Sequence, residues 1–143
     1  MTLYIKKIRE NAVVPQFQSE QAAGADLCAC IEEEIAVAPG GRVLIPTGIA
    51  VCPSDPDVVL LIAARSGLAV KRGRTLSNGV GIVDADYRGE IQVGLVHLGA
   101  DPVLIRPGDR IAQLLVLPIL RPSVHITTDL PSTTRGTGGF GST

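Results

Sequence analysis

The stretch on which the fold turns runs from Gly79 to Leu98, GVGIVDADYRGEIQVGLVHL. Aliphatic residues lead in at Val80, Ile82 and Val83, and a valine- and leucine-rich run leads out. Both flanks have the length and content of β-strands. Between them stand two aspartates two residues apart, a tyrosine, and Arg-Gly-Glu. On an unbroken strand Asp84 and Asp86 would share a face and Tyr87 would point away from it. The DADYRG composition favours a turn there instead. A turn calls for glycine and one aspartate; it does not call for a tyrosine. A carboxylate near a bound phosphate can order an attacking water or hold a metal-bound one. Decoration of a hairpin tip is the plainer reading of the same residues.

Working outward, the neighbouring runs have the same character. VLIPTGIAV, VVLLIAA, EIQVGLVHL, RIAQLLVLPIL and VHITT all read as strands. APGG, PSDPD, LGADP and RPGD break them. Many short strands with regular turn signals predict an all-β sandwich, jelly roll or barrel. One helix is predicted in SGLAVKRG, with Ser66 as N-cap, Leu68 to Arg72 as body and Gly73 at its end. His97 and His125 read as strand positions rather than catalytic bases.

The 143 residues suit one domain. Hydrophobic residues make up 45% and aromatics only 3%, so the core is expected to be aliphatic, with some apolar surface left to cover between subunits. A net charge of −1 gives no global drive towards nucleic acid. Lys71, Arg72 and Arg74 form a local basic cluster, read as a solvated loop. No run is apolar and long enough for a signal peptide or membrane span. Cys28, Cys30 and Cys52 are expected to be reduced, buried thiols of a cytoplasmic protein.

Four further stretches carry possible chemistry. Arg65 precedes Ser66 and Gly67, where free N–H groups beside an arginine suit a phosphate; an ordinary capped helix explains them equally. Asp26 lies in AGADL and Gln113 in RIAQLL, each also explicable as structural. The last nine residues, RGTGGFGST, contain too little apolar material to fold alone. Their glycines let main-chain N–H groups approach an anion, and Arg135 adds a forked donor. Phe140 is out of place in a polar tail unless it lands on something flat or apolar.

In this order AGADL (23–27), ARSGLA (64–69), NGVGIVDADYRGEI (78–91), GDRIAQL (108–114) and RGTGGFGST (135–143) resemble the five motifs of the trimeric dUTP diphosphatases. The match spans almost the whole chain. The resemblance implies a jelly-roll-like all-β domain over 1–134 and a flexible glycine-rich arm over 135–143. It implies a homotrimer with shared sites, each closed by an arm from another chain. It further implies hydrolysis of dUTP to dUMP and pyrophosphate with Mg²⁺, which keeps uracil out of DNA and supplies dUMP for thymidylate synthesis. Asp84 matches the carboxylate that activates water, and Asp26 an acidic residue that holds metal-bound water. Arg65, Ser66, Gly67 and Gln113 match phosphate-binding residues. Main chain at Ile82, Val83 and Gln92, with the Asn78 side chain, would select uracil, and Tyr87 would pack on the deoxyribose. From the arm, Phe140 would stack on the base, Arg135 would hold the γ-phosphate, and Gly138, Gly139, Gly141 and Ser142 would line the closure. dCTP deaminase shares the fold but carries glutamate in the segment matching Asp84. A partner-binding module without catalysis is the other alternative.

Overall fold

The computed structural model describes residues 1–141. Among them are twelve strands and one helix. The strands are β1 (Leu3–Lys7), β2 (Gln16–Phe17), β3 (Ala25–Cys28), β4 (Ile35–Val37), β5 (Arg42–Pro46) and β6 (Ile49–Pro53), followed by β7 (Val58–Ala63). Helix α1 (Ser66–Arg72) comes next, then β8 (Arg74–Leu76), β9 (Gly81–Asp84), β10 (Gln92–His97), β11 (Val103–Ile105) and β12 (Arg110–Pro118). All pairings are antiparallel. The largest sheet runs β2-β3-β12-β7-β9, and β5-β10-β8, β1-β6 and β4-β11 complete a jelly-roll-like domain.

Alternating burial in β7 and β10 turns one face of each strand inward. Leu27, Ile45, Ile49, Leu60, Ile91, Val93, Ile105 and Leu114 fill the core. No Phe or Tyr side chain is buried among the described residues, in line with the composition. Cys28 and Cys30 are buried and free, and burial, the leading influence on each, raises both thiols above their ordinary pKa. Cys52 is half-buried.

Three expectations change. VLIPTGIAV is two strands, because the chain turns at Thr47 and Gly48. Gly48 has φ +72, and a Cβ there would lie 2.6 Å from the Cys30 sulfur, so the corner admits only glycine. VHITT forms no strand, and residues 119–141 contain neither strand nor helix. A strand needs a neighbouring edge for its backbone groups, and this segment pairs with none among the described residues. Ser66 does not cap α1: Arg65 does, with an extended backbone and a carbonyl that accepts from Leu68 and Ala69 at 3.0 and 2.9 Å. Gly73 ends the helix as expected, at φ 61.

The corner at Gly48 anchors the connection that follows β9. Glu90 accepts from Arg9 through Nε at 2.8 Å and Nη2 at 3.0 Å, and from the Gly48 N–H at 2.9 Å. Thr47 donates through its N–H and its hydroxyl to the Ile91 carbonyl, and Ile91 donates to Ile49. The Arg9 hydrogen bond is the main reason that the Glu90 carboxyl titrates below its ordinary value, against the opposing effect of burial. A carboxylate with a depressed folded-state pKa adds stability above its unfolded pKa, and that stability is lost as pH falls through the folded value. Replacing Glu90 with Gln should therefore cost most stability near neutrality, and the gap from the parent should close below about pH 4. Urea unfolding of both proteins at several pH values measures this. A gap that stays constant into acid would show that the charge of Glu90 contributes nothing.

Candidate functional site

Two groups of polar residues stand at different places on the five-stranded sheet. The first is the turn after β9, which joins two sheets rather than closing a hairpin, since β9 pairs with β7 and β10 with β5 and β8. Strand β9 ends at Asp84, and the Tyr87 N–H donates to the Asp84 carbonyl at 3.1 Å. The chain thus turns at the tyrosine rather than continuing as a strand. The Tyr87 hydroxyl donates to the Glu90 carbonyl at 3.2 Å, and Arg88 donates to the carbonyls of Ala85 and Tyr87. A side chain at Gly89 would strike the Tyr87 ring, so the glycine lets the ring lie flat over the turn. Ile82, Val83, Asp84, Tyr87, Glu90, Ile91 and Gln92 line a cavity of about 240 Å³. The Asp84 side chain is exposed and takes no hydrogen bond or ion pair among the described residues.

Five expected residues meet in this cavity: Ile82, Val83, Asp84, Tyr87 and Gln92. Asn78 does not line it; it lies in the exposed turn before β9. Glu90 and Ile91 were not singled out from the sequence. The signal for Glu90 was its place in Arg-Gly-Glu directly after the tyrosine, where a charge beside a buried apolar residue needs a partner.

The second group gathers where β3, β12 and the end of β7 meet. Asp26 on β3 pairs with Gln113 on β12, which pairs with Ala63 on β7. Asp26 is only 7% exposed, and its two oxygens face Arg65 Nε at 2.7 Å and Arg110 Nη1 at 3.2 Å. The Gln113 amide donates to the Ala64 carbonyl at 3.0 Å. A Cβ on Gly24 would lie 2.8 Å from the Gln113 side-chain oxygen, so the glycine of AGADL makes room for the glutamine. Arg65, Gly67, Arg110 and the basic end of α1 line a cavity of about 370 Å³. Ser66 is exposed beside it, with its hydroxyl free because it is not the cap. Arg110 was read from the sequence only as a turn residue; its carboxylate partner lies 84 positions away, beyond local pattern.

Register gives the span between the groups. Asp84 pairs with Val59 and Gln113 with Ala63, four residues apart on β7. Strands β9 and β3 are three sheet positions apart. Those offsets, about 14 Å in each direction, put Asp84 roughly 20 Å from Asp26 across the sheet. A triphosphate is shorter than that, so one protomer does not bring both groups to one phosphate chain.

Over its described residues, 135–141, the arm reaches neither group. Arg135 Nε donates to the Gly138 carbonyl at 2.8 Å, and Phe140 is fully exposed at φ 53. Gly139 is half-buried and Gly141 exposed. Ser142 lies outside the described residues. Leu120, Val124, Ile126 and Leu130 ahead of the arm are also exposed. No described helix is long and apolar enough to cross a membrane.

Comparison with known proteins identifies the family. A dUTPase family model matches residues 10–143. The deoxyuridine 5'-triphosphate nucleotidohydrolase of Desulfotalea psychrophila (strain LSv54 / DSM 12343) is 46% identical over 135 residues, covering 94% of this chain and 89% of that one. Among solved structures, a mutant of the phage 80alpha dUTPase has a TM-score of 0.86 at 26% identity, covering 99% of this chain and 98% of that one. A mutant dUTPase from phage phi11 of S. aureus, for which coordination of a structural Mg(II) ion is described, has a TM-score of 0.83 at 23% identity, covering 92% of this chain and 100% of that one. Fold, motif order and family match coincide over nearly the whole sequence: the chain belongs to the dUTPase family.

Proposed function

We propose that the chain hydrolyses dUTP to dUMP and pyrophosphate in a homotrimer whose sites each combine the Asp84 turn of one protomer with the Arg65 cluster of another. The span of roughly 20 Å between those groups within one chain carries this reading. Exposed apolar side chains, from Leu44 to Ile126, add surface for assembly. Kinship with named dUTP nucleotidohydrolases supports the substrate.

In this reading water attacks the α-phosphorus and Asp84 accepts its proton. The bond from the α-phosphorus to the bridging oxygen breaks, and pyrophosphate leaves with the electron pair. Charge gathers on phosphate oxygens, so fixed donors aimed at them lower the barrier. Arg65, Ser66, Gly67 and Gln113 hold the chain of phosphates. Asp26 already accepts from two arginines, and each of its oxygens keeps a lone pair for metal-bound water. That donor set fits Mg²⁺ held through water, and the ion when bound neutralises triphosphate charge. Main chain at Ile82, Val83 and Gln92 with the Asn78 side chain reads uracil, and Tyr87 stands against the deoxyribose. Residues 135–143 form the closing arm, with Arg135 on the γ-phosphate, Phe140 on the base and the glycines packed around them. The enzyme works in the cytoplasm, limiting uracil in DNA and providing dUMP.

Asp84→Asn keeps the shape and loses the proton acceptor. Turnover of dUTP with Mg²⁺ should fall at least about 10²-fold, in keeping with loss of a general base, with dUTP binding retained. Pyrophosphate release from a panel of nucleotides measures this; near-parental turnover removes Asp84 from the mechanism, and ammonia released from dCTP would identify a deaminase instead.

Tyr87→Ala opens the wall beside the sugar. Hydrolysis of UTP should rise relative to dUTP, because the ring no longer crowds a 2′-hydroxyl. An unchanged ratio in competition assays would free Tyr87 from that role.

A further inference from the structure

A second basic cavity, of about 600 Å³, opens beyond the far end of α1. Lys71, Arg72, Arg74 and Arg106 line it, with Asp101 as the lone carboxylate. It adjoins the cavity of Arg65 and Arg110, since Lys71, Arg72 and Arg74 line both. The remaining arginines of this surface already have partners: Arg65 and Arg110 hold Asp26, and Arg106 holds Glu34 at 2.7 Å. Lys71, Arg72 and Arg74 make no ion pair among the described residues.

Arg74 is the unusual member. Expected in a solvated loop, it lies instead on β8 and is 7% exposed. Its Nε has no hydrogen-bond partner. Burial, and next the repulsion of Arg72, lower its pKa, with Asp109 opposing weakly. A buried guanidinium without a carboxylate is unfavourable and calls for a counter-ion. The walls are held in place: the Leu98 N–H donates to the Gly73 carbonyl at 2.7 Å, and a Cβ on Gly73 would come within 2.7 Å of the Gly99 nitrogen. His97 closes the floor with Nε2 against the Asp101 carbonyl at 2.6 Å. Its Nδ1 is buried and has no partner among the described residues, and the cations carry the site.

We propose that Lys71, Arg72 and Arg74 form a pyrophosphate-binding site, separate from the residues that hold the substrate's phosphates but continuous with them. Three unpaired cations suit an ion of several negative charges. The space exceeds one phosphate, and no aromatic ring other than the buried imidazole lines it to receive a base. A bare diphosphate fits that chemistry better than a nucleotide. The proposal rests on the dUTP-cleaving reading for the origin of its ligand, since that reaction releases pyrophosphate beside the shared wall.

The test uses Arg65→Ala protein, in which the substrate's phosphate subsite is weakened. Inorganic pyrophosphate is titrated into it by calorimetry in metal-free buffer, and into the same protein carrying Lys71→Ala and Arg72→Ala. Both added changes fall on exposed side chains, so the fold should persist. Saturable binding is expected in the first, weakened at least about 10-fold in the second, as loss of charge-assisted contacts implies. Orthophosphate should bind the first protein at least about 10-fold more weakly than pyrophosphate. No saturable binding, equal affinity in the two proteins, or equal affinity for the two anions would overturn the proposal. Turnover of dUTP by the parent is measured separately. Binding without turnover refutes the activity and keeps the site, and turnover without binding does the reverse.

Discussion

The Asp26 carboxylate, buried on β3, holds Arg65 and Arg110, and so ties three elements of the large sheet together. Removing such a charge from water costs several kcal/mol unless it is paired and hydrogen-bonded. Asp26 meets that cost with one guanidinium on each oxygen. The same contacts aim Arg65 past the start of α1, where Arg65, and not Ser66, is the capping residue. The serine hydroxyl and the glycine after it are thereby left for a ligand. Gln113, on the next strand, is fixed by the Ala64 carbonyl and by the space at Gly24. One buried carboxylate, with its two arginines, thus positions Arg65 in the proposed phosphate subsite.

The Asp84 turn is built by different means. Its base is clamped by Glu90 on Arg9 and Gly48, and its tip by the Tyr87 turn. It shares no hydrogen bond or ion pair with the Asp26 cluster among the described residues. Each group is tied by hydrogen bonds where it stands, and the paired strands of the sheet lie between them. A site that needs both therefore needs two protomers in contact. The exposed, strandless segment after Pro118 and its apolar side chains are consistent with a chain whose last part belongs against a neighbour.

Much of this was legible in the sequence because strand patterning and glycine punctuation are local. The turn at Tyr87, the helix end at Gly73 and the aliphatic core all follow from neighbouring residues. What was not legible depends on distant partners. The N-cap passed from Ser66 to Arg65 because the chain enters the helix extended from β7, and Asp26 holds the arginine side chain. Arg110 and Glu90 gained their meaning from residues 84 and 81 positions away. VHITT has strand composition but joins no sheet edge among the described residues. Arg74 looked like part of a solvated basic run, yet the strand pairing of β8 with β10 draws it inward.

The division of the site between protomers is tested most directly by mixing two defective chains, one carrying Asp84→Asn and the other Arg65→Ala. Each alone should be nearly inactive on dUTP. Trimers shown by mass to contain both chains should regain activity, because an intact Asp84 from one chain can meet an intact Arg65 from the other. Mixed trimers as inactive as their parents would place Asp84 and Arg65 at the same site within one chain, or leave one of them out of the reaction, and would contradict the account.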